Sequence, residues 1–226
     1  MIITIDGTVG TGKSTVATKL ARALGYIYFD TGAMYRALTW GIMQNKIDIH
    51  NEEQLNAYLD LFDYKVKIKQ GEKSYCVANQ DVSLAIRGQE VTSKVSEVSA
   101  IPKVREKLVA LQRQLSLGVN AVFEGRDIGT VVFPNANLKI FLTADPKVRA
   151  KRRYDELCAK FPDTASKLTF DQVLEEINQR DHHDSTRELS PLKQANDAFL
   201  IDTSQLSIDE VVLKILELKD RLKVKV

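Results

Sequence analysis

The chain has 226 residues, 44% of them hydrophobic and 27% charged, with a formal net charge of +2 at pH 7. These values are typical of a globular protein, and the small net charge argues against a general nucleic-acid-binding or membrane-coating role. No apolar run is long enough to cross a bilayer, and glycine and charge arrive too early for a signal peptide. The two cysteines, Cys76 and Cys158, indicate a reducing compartment, so we expect a cytoplasmic protein. The chain length predicts a single domain over residues 1–226.

The first elements alternate between strand and helix. Residues 2–5 form a short apolar run that predicts a buried parallel strand, and the following helix has a stop signal at Gly25. A second strand is predicted over 26–30, a helix over 33–44, and a further helix capped by Asn51. This order is typical of an α/β fold.

A period of two replaces the helical pattern over residues 64–69, where Lys65, Lys67 and Lys69 alternate with apolar side chains. Residues 74–79 predict a returning strand, so we expect an antiparallel hairpin inserted into the alternating fold. The lysines form either a basic phosphate-binding patch or a solvated sheet face, and lysines on an edge strand favour the solvated face.

The remainder of the chain returns to alternating helices and strands. The predicted elements are a helix from Pro102 to a stop at Gly118, strands over 120–127 and 137–145, a basic helix from about Pro146, a polar stretch over 161–169, a helix through Val173, Leu174 and Ile177, a strand over 198–204, and a final helix opened by a capping box at Ser207 and Glu210. Strands separated by helices imply a parallel sheet with helices on both faces.

A complete phosphate-binding loop pattern lies between the first predicted strand and the first helix, at residues 7–14. Its glycines allow backbone amides to approach phosphate oxygens, and the helix N-terminus adds partial positive charge. Lys13 can reach between the β- and γ-phosphates, and the Ser14 hydroxyl can ligate Mg²⁺, which prefers oxygen ligands. The residues predicted to bind the nucleotide here are Gly7, Thr8, Val9, Gly10, Thr11, Gly12, Lys13, Ser14 and Thr15.

A nucleotide-binding loop does not by itself distinguish a kinase from a GTPase. The tetrapeptide Asn45-Lys-Ile-Asp48 matches the guanine-reading motif of GTPases, but it comes two elements after the loop, at the end of a predicted helix. The Asp-x-x-Gly switch expected after a second core strand of a GTPase is not found. We therefore interpret residues 45–48 as a helix exit.

Arginines recur where the predicted topology places the carboxyl edge of the sheet, which is where open α/β sheets bind ligands. They are Arg36, Arg126, Arg149, Arg152, Arg153, Arg180 and Arg187. A planar guanidinium group can donate two hydrogen bonds to one phosphate, so this set predicts a second pocket that holds a phosphorylated acceptor.

Two longer motifs resemble those of bacterial-type cytidylate kinases, namely Asp30-Thr-Gly-Ala-Met-Tyr-Arg36 and Glu124-Gly-Arg-Asp-Ile-Gly-Thr-Val-Val-Phe-Pro134. The segments Gln89-Glu-Val91, Pro102-Lys-Val-Arg105 and Arg180-Asp181…Asp184…Arg187 fit the same family in the same order. The resemblance implies a P-loop kinase fold with a parallel five-stranded sheet, a monophosphate-binding insert over about 34–100 that contains the hairpin, and a helical lid over about 148–170. It also implies a monomer that transfers the γ-phosphate of ATP to CMP or dCMP.

The same resemblance assigns roles by position. Arg36, Arg126 and Arg187, helped by Thr31, would grip the acceptor phosphate; Ser96, Arg105 and Asp127 would read the cytosine; Arg180 and Asp184 would contact the sugar hydroxyls; and Arg149 and Arg153 would close over ATP. The catalytic set would then be Lys13, Arg36, Arg126 and Arg187.

The cytosine assignment that the resemblance implies also agrees with hydrogen-bond chemistry. A carboxylate such as Asp127 can accept a hydrogen bond from the amino group at C4, and an arginine such as Arg105 can donate to N3 and O2. Uracil reverses the pattern at N3 and C4. A mismatched buried polar pair can discriminate by orders of magnitude, so we expect CMP to be preferred over UMP.

The expected chemistry is in-line phosphoryl transfer without a covalent enzyme intermediate, because the acceptor oxygen is already a nucleophile. Glu124 is the best-placed carboxylate for a water on Mg²⁺, and it can equally be a structural group. His182 and His183 would point in different directions on a helix, so no metal site is predicted there. The basic run 151–153 is not predicted to bind nucleic acid, given the small net charge.

Two alternatives remain open at this point. The chain could be a P-loop kinase for another monophosphate or for a small acid such as shikimate. It could also be a nucleotide-gated switch without acceptor chemistry, although a switch does not need a second set of arginines.

Overall fold

The computed structural model describes residues 1–69, 72–160, 162 and 168–223. The strands are β1 (Ile2–Gly7), β2 (Ile27–Asp30), β3 (Tyr64–Lys69), β4 (Glu72–Val77), β5 (Gln80–Asp81), β6 (Ala121–Gly125), β7 (Leu138–Thr143) and β8 (Phe199–Asp202). The helices are α1 (Lys13–Leu24), α2 (Thr31–Gln44), α3 (Glu52–Leu61), α4 (Gln89–Ala100), α5 (Pro102–Leu115), α6 (Pro146–Lys160), α7 (Phe170–Thr186) and α8 (Ile208–Lys223). A 3₁₀ turn spans Ala85–Arg87, and a π-helical turn spans Ile128–Val132.

The chain divides into two compact units. The second unit is the continuous segment Asp30–Leu115, and the first comprises the residues up to Phe29 and from Ser116 onward. The predicted insert over about 34–100 falls within the second unit, and the predicted lid over about 148–170 falls within the first. The organisation as one domain with an insert and a lid stays a prediction.

A five-stranded sheet forms the centre of the first unit, in the order β2-β6-β1-β7-β8. Strand β1 pairs in parallel with both β6 and β7, and β7 pairs in parallel with β8. The predicted parallel sheet is therefore confirmed. In this register Asp6 lies beside Gly125 on one side and Phe141 on the other, so the P-loop leaves the sheet between the ends of two neighbouring strands.

Helices α1 and α8 pack on this sheet through an apolar cluster. Ile3 and Ile5 of β1 and Leu142 of β7 are fully buried in it, as the short apolar runs of their strands predict. Helix α1 contributes Val16 and Leu20, which are spaced by four residues and therefore lie on one face. It ends at Gly25, whose φ of 66° lies in the left-handed region, as the sequence indicated.

Helices α6 and α7 form a second apolar contact in the first unit. Their buried residues Ala150, Val173 and Ile177 make up what we call the α6–α7 cluster, with several half-buried neighbours around it. Helix α7 begins with a capping box formed by Thr169 and Gln172, which the sequence analysis did not identify. Most of the predicted polar stretch over 161–169 lies outside the described residues.

The second unit combines helices α2 to α5 with a small antiparallel sheet in the order β3-β4-β5. The predicted hairpin is confirmed by the pairing of β3 with β4, while the turn at residues 70–71 lies outside the described residues. Lys65 and Lys67 are exposed, in agreement with a solvated sheet face. Strand β5 and helix α4 were not predicted. Helix α5 ends a few residues before its predicted stop.

Within the described part of the chain, none of the helices is both long and apolar enough to cross a membrane.

Candidate active site

Glycine conformations give the P-loop its shape. Gly7 has φ 148°, and a Cβ built on it would lie only 2.1 Å from the carbonyl oxygen of Leu142, so no side chain fits there. Gly12 has φ 87° and is the N-cap of α1, whose first turn receives no side-chain cap. The loop therefore presents backbone to the space in front of the helix, where amide groups and the helix dipole favour an anion. This arrangement fits the phosphates of ATP.

Lys13 lies buried at the base of the loop. Its Nζ donates a hydrogen bond to the carbonyl oxygen of Thr8 at 2.6 Å, and the hydroxyl of Thr11 donates to the same oxygen at 3.0 Å. Burial lowers the pKa of Lys13 from its ordinary value, and the positive charge of Arg126 lowers it further. The ammonium group therefore lacks an anionic partner strong enough to offset its burial.

Ser14 and Thr15 are exposed in the first turn of α1, where a hydroxyl can reach a cation on the phosphates. The buried carboxylate of Glu124 accepts a hydrogen bond from the hydroxyl of Tyr28 at 2.5 Å. Among the described residues, no three acidic, histidine or cysteine side chains group together as a metal site. Mg²⁺ nevertheless prefers one or two protein oxygens together with substrate phosphates as its ligands, so the Ser14 hydroxyl fits this ion.

Two ion pairs link the end of β6 to helix α7 and its C-cap. Nε of Arg126 donates to Oδ2 of Asp184 at 2.9 Å, and Nη2 of Arg187 lies 3.6 Å from Oδ1 of Asp127. Burial alone would raise the pKa of Asp184, but Arg126 and the neighbouring arginines hold that pKa below its usual value. Four of the predicted acceptor-binding side chains are thus brought together in the first unit.

Asp6 is a site residue that the sequence analysis missed. Its carboxylate accepts the backbone N–H groups of Ile128 at 2.9 Å and Gly129 at 2.7 Å. These residues follow directly after Arg126 and Asp127, so Asp6 fixes the turn that carries both. Burial raises the pKa of Asp6 to about 6 despite these hydrogen bonds. An acidic residue at the end of a buried strand, directly before the P-loop, was the signal that could have identified it.

The arginines of α6 are bonded within the protein. Nη1 of Arg152 donates to the hydroxyl of Thr203 at 3.0 Å, and that hydroxyl donates to the carbonyl oxygen of Thr11 at 3.2 Å. Nη1 of Arg153 donates to Glu156 at 3.0 Å. Arg149 is buried and bonded to the P-loop. The expectation that Arg149 and Arg153 close over ATP stays a prediction. Arg180 is half-buried on α7.

The second unit carries the other four predicted acceptor-binding residues. Nη2 of Arg36 lies 3.2 Å from Oδ2 of Asp30, which also caps α2 by accepting the N–H of Ala33 at 2.8 Å. Thr31 is buried in the first turn of α2. Arg105 is buried, and its guanidinium carbon lies 5.6 Å from the centroid of the Tyr35 ring. Ser96 is half-buried on α4.

The structure also places three sequence features outside the groups described above. Residues 45–48 follow the end of α2, where the Asn45 side chain donates to Gly41 at 2.8 Å, so the interpretation as a helix exit is confirmed. His182 and His183 are both exposed on α7. Nζ of Lys151 donates to Asp155 at 2.5 Å within its own helix.

The parallel sheet, the P-loop after its central strand and the helix that starts at Gly12 define the fold of a P-loop kinase. A crystal structure titled as a gluconokinase from Sinorhizobium meliloti 1021 is similar over 97% of this chain and 91% of its own, with a TM-score of 0.50 and 15% identity. At that level of identity the likeness concerns the fold alone.

The sequence profile of the cytidylate kinase family matches residues 3–221, so the chain belongs to that family. A cytidylate kinase from Protochlamydia amoebophila is 64% identical over 225 residues, which cover 100% of this chain and 99% of the relative. A cytidylate kinase from Caldicellulosiruptor bescii is 46% identical over 216 residues, covering 96% and 94% of the two chains.

Proposed function

We propose that the protein transfers the γ-phosphoryl group of ATP to CMP or dCMP, giving ADP and CDP or dCDP. Membership of the cytidylate kinase family over residues 3–221 supports this activity. The relatives that carry the name cytidylate kinase match almost the whole chain, so the proposal concerns the complete reaction.

The observation that carries the proposal is the proximity of two cations. The positive charge of Arg126 is near enough to lower the pKa of buried Lys13. The carboxylates of Glu124, Asp181 and Asp6 offset this effect only in part, because the pKa of Lys13 remains lowered, and bound phosphates would supply the additional negative charge. A donor phosphate on the P-loop and an acceptor phosphate on Arg126 supply those anions.

On the donor side, residues 7–15 bind ATP, with Lys13 neutralising charge between its β- and γ-phosphates. Ser14 would hold Mg²⁺, and the ion would neutralise phosphate charge. Arg153 approaches the nucleotide from α6. Glu124, oriented by Tyr28, is the carboxylate available to a water molecule on the ion.

On the acceptor side, we assign each residue the role that family membership suggests. Arg36, Arg126 and Arg187, with the hydroxyl of Thr31, bind the acceptor phosphate. Asp127 accepts from the cytosine amino group, Arg105 donates to N3 and O2, and Ser96 contacts the base. Arg180 and Asp184 bind the sugar hydroxyls.

The chain's own groups act by position and charge. The acceptor phosphate oxygen is a nucleophile without deprotonation, so no general base is needed. The arginines and Lys13 hold the two phosphates in line despite their repulsion and stabilise the charge that spreads over the transferred group. Exclusion of water by the closed site suppresses hydrolysis of ATP.

The decisive experiment measures ADP formation from ATP with CMP, dCMP, UMP, AMP, GMP and dTMP. We expect turnover with CMP or dCMP, and a kcat/KM for UMP that is lower by about 100-fold or more. Equal turnover of UMP and CMP would contradict the roles of Arg105 and Asp127. Lack of ADP formation with every acceptor would instead support a nucleotide-gated switch.

We propose that the enzyme acts in the cytoplasm as a monomer on small-molecule substrates and does not bind nucleic acid. The small net charge of +2 supports the last point. Two free cysteines, one buried and one exposed, are compatible with a reducing compartment.

A further inference from the structure

Val9 occupies the apex of the P-loop, and its N–H, its carbonyl oxygen and its side chain all contact residues of helices α6 and α7. Oδ1 of Asp181 accepts the N–H of Val9 at 3.2 Å, and Nη1 of Arg149 donates to the carbonyl oxygen of Val9 at 3.1 Å. The Val9 side chain packs against the α6–α7 cluster. The apex of the loop is therefore fixed by one residue from each helix and by apolar contact with both.

Arg149 and Asp181 also bind each other, since Nη1 of Arg149 donates to Oδ2 of Asp181. Nε of Arg149 donates to the carbonyl oxygen of Ala144 at 3.0 Å. The two side chains are only 7% and 15% exposed. A buried guanidinium group with three acceptors is held in one orientation, and a charged pair in such surroundings is stronger than a surface pair.

The backbone of α6 reinforces this contact. A Cβ built on Gly10 would lie 2.7 Å from the carbonyl oxygen and 2.9 Å from the Cβ of Arg149, and Gly10 has φ 77°. The loop therefore packs directly on the first turn of α6. The backbone conformation at Gly10, directly after the apex, therefore depends on the first turn of α6 as well as on the side chains of Arg149 and Asp181.

We infer that Arg149 and Asp181 are positioning residues that hold the P-loop in its phosphate-binding shape. Arg149 then contributes to ATP binding through the loop and not by contact with ATP. This inference rests on the proposed use of ATP as donor. It also explains why an acidic residue, Asp181, lies beside a loop that binds an anion: its carboxylate orients the loop.

Charge alone and loop positioning predict opposite results when Asp181 is neutralised. Removal of a negative charge near the loop should strengthen the binding of an anionic nucleotide. Loss of the acceptor for the Val9 N–H should weaken it, because the loop amides lose their alignment. Arg149→Lys distinguishes the same two effects. It keeps the positive charge, so charge alone predicts unchanged nucleotide binding. A lysine cannot donate to three acceptors in the fork geometry of arginine, so loop positioning predicts weaker binding.

The experiment measures ADP affinity by calorimetry for the wild type, Asp181→Asn, Arg149→Lys and the double variant. The matched control is Glu176→Gln, an exposed acid on the same helix. We expect each single variant to bind ADP about 10-fold more weakly, the double variant to lose no more than about 10-fold, and the control to be unchanged. Unchanged or tighter binding by Asp181→Asn overturns the inference.

The double variant distinguishes loss of the Arg149–Asp181 pair from a direct effect of the Asp181 charge on Lys13. Asp181 lies within electrostatic range of Lys13, so its removal could act through the charge of that lysine. Independent effects of the two substitutions would add, giving a loss of about 100-fold in the double variant, and that outcome also overturns the inference. Failure of wild-type ADP binding would instead refute the proposed function.

A measurement on the wild type keeps the inference testable if a variant does not fold. Hydrogen exchange of the Val9 amide in the ligand-free protein reports directly on its bond to Asp181. We expect exchange slowed by about 100-fold or more relative to an unstructured amide. Exchange at the unstructured rate overturns the inference without any substitution.

Discussion

The carboxylate of Asp6 accepts the backbone N–H of Gly129 at 2.7 Å, which connects the end of strand β1 to the turn after β6. Gly129 has no room for a side chain, because a Cβ would lie 2.9 Å from the hydroxyl oxygen of Thr4 and 3.3 Å from Asp6 itself. The residue next to the P-loop thus determines where Arg126 and Asp127 lie. One carboxylate therefore connects the strand before the P-loop with the turn after Arg126 and Asp127.

We expect Asp6→Asn to weaken acceptor binding more than donor binding. The amide has one oxygen for two N–H groups, so the turn after β6 loses an acceptor at a cost of about 1–3 kcal/mol. The KM for CMP should rise by about 10-fold, since each 1.4 kcal/mol corresponds to that factor. ADP affinity, measured by calorimetry, should change by less than about 3-fold. A selective loss of ADP affinity would place the effect of Asp6 on the P-loop.

The pH dependence of stability should also report on Asp6. Its pKa in the folded protein is raised to about 6 from an ordinary value of 3.8, because burial disfavours the charged form. The native state therefore binds more protons than the unfolded state between these values, and the stability from this group is lost as the pH rises through about 6. Chemical unfolding from pH 4 to 7 should show a smaller decline in Asp6→Asn. An equal decline in both proteins would contradict the raised pKa.

Lys13→Met should remove activity and stabilise the ligand-free protein. Loss of charge neutralisation at the transferred phosphate should lower kcat by about 10²–10³-fold. The lowered pKa of Lys13 means that its charged form is disfavoured in the native state, so stability rises as the pH increases from that lowered pKa toward 10.5. The methionine variant should lack this rise and should be more stable than the wild type at neutral pH.

The matched control for this prediction is Lys19→Met on the same helix, where Lys19 is exposed and paired with Asp209 at 2.8 Å. Exposed pairs contribute only about 0–1 kcal/mol, so this variant should keep its activity and its pH profile of stability. Lower stability of Lys13→Met than of wild type at neutral pH would show that Lys13 is not strained by burial.

Gly7→Ala should damage the fold far more than Gly25→Ala. The new Cβ at residue 7 would lie 2.1 Å from a backbone oxygen of β7, which cannot move without disturbing the central sheet. We expect a loss of about 3 kcal/mol or more in the free energy of unfolding. Gly25 also has positive φ but nothing within 4 Å, so its loss should be only about 1–2 kcal/mol. Comparable losses in urea unfolding would argue against the close approach at Gly7.

Local patterns were enough to predict the elements whose residues alternate or recur regularly. The P-loop, the strand before it and the helix after it were recognised because their signals are contiguous in sequence. Helix α4 was missed, although Val91, Val95 and Val98 are buried at helical spacing. Its serine and β-branched residues have modest helix propensity, so burial of that apolar face stabilises it more than local preference does.

The missed site residues have a different cause. Asp6 and Asp181 bind backbone groups that lie more than one hundred residues away in the chain, and no spacing rule can identify such a partner. The two-residue strand β5 likewise has too few positions for a period to be visible. Local patterns in the sequence therefore did not identify residues whose role is to hold distant backbone groups in place.

The register of β1 has a consequence for synthesis on the ribosome. Ile2 pairs beside Ala121 and Ile3 beside Leu138, whereas the whole of the Asp30–Leu115 unit lies between them in the chain. At about 5–20 residues per second, β1 therefore waits about 6–25 s before its first partner strand is translated. The second unit can collapse during that interval, and the five-stranded sheet is completed only after β8 has been translated.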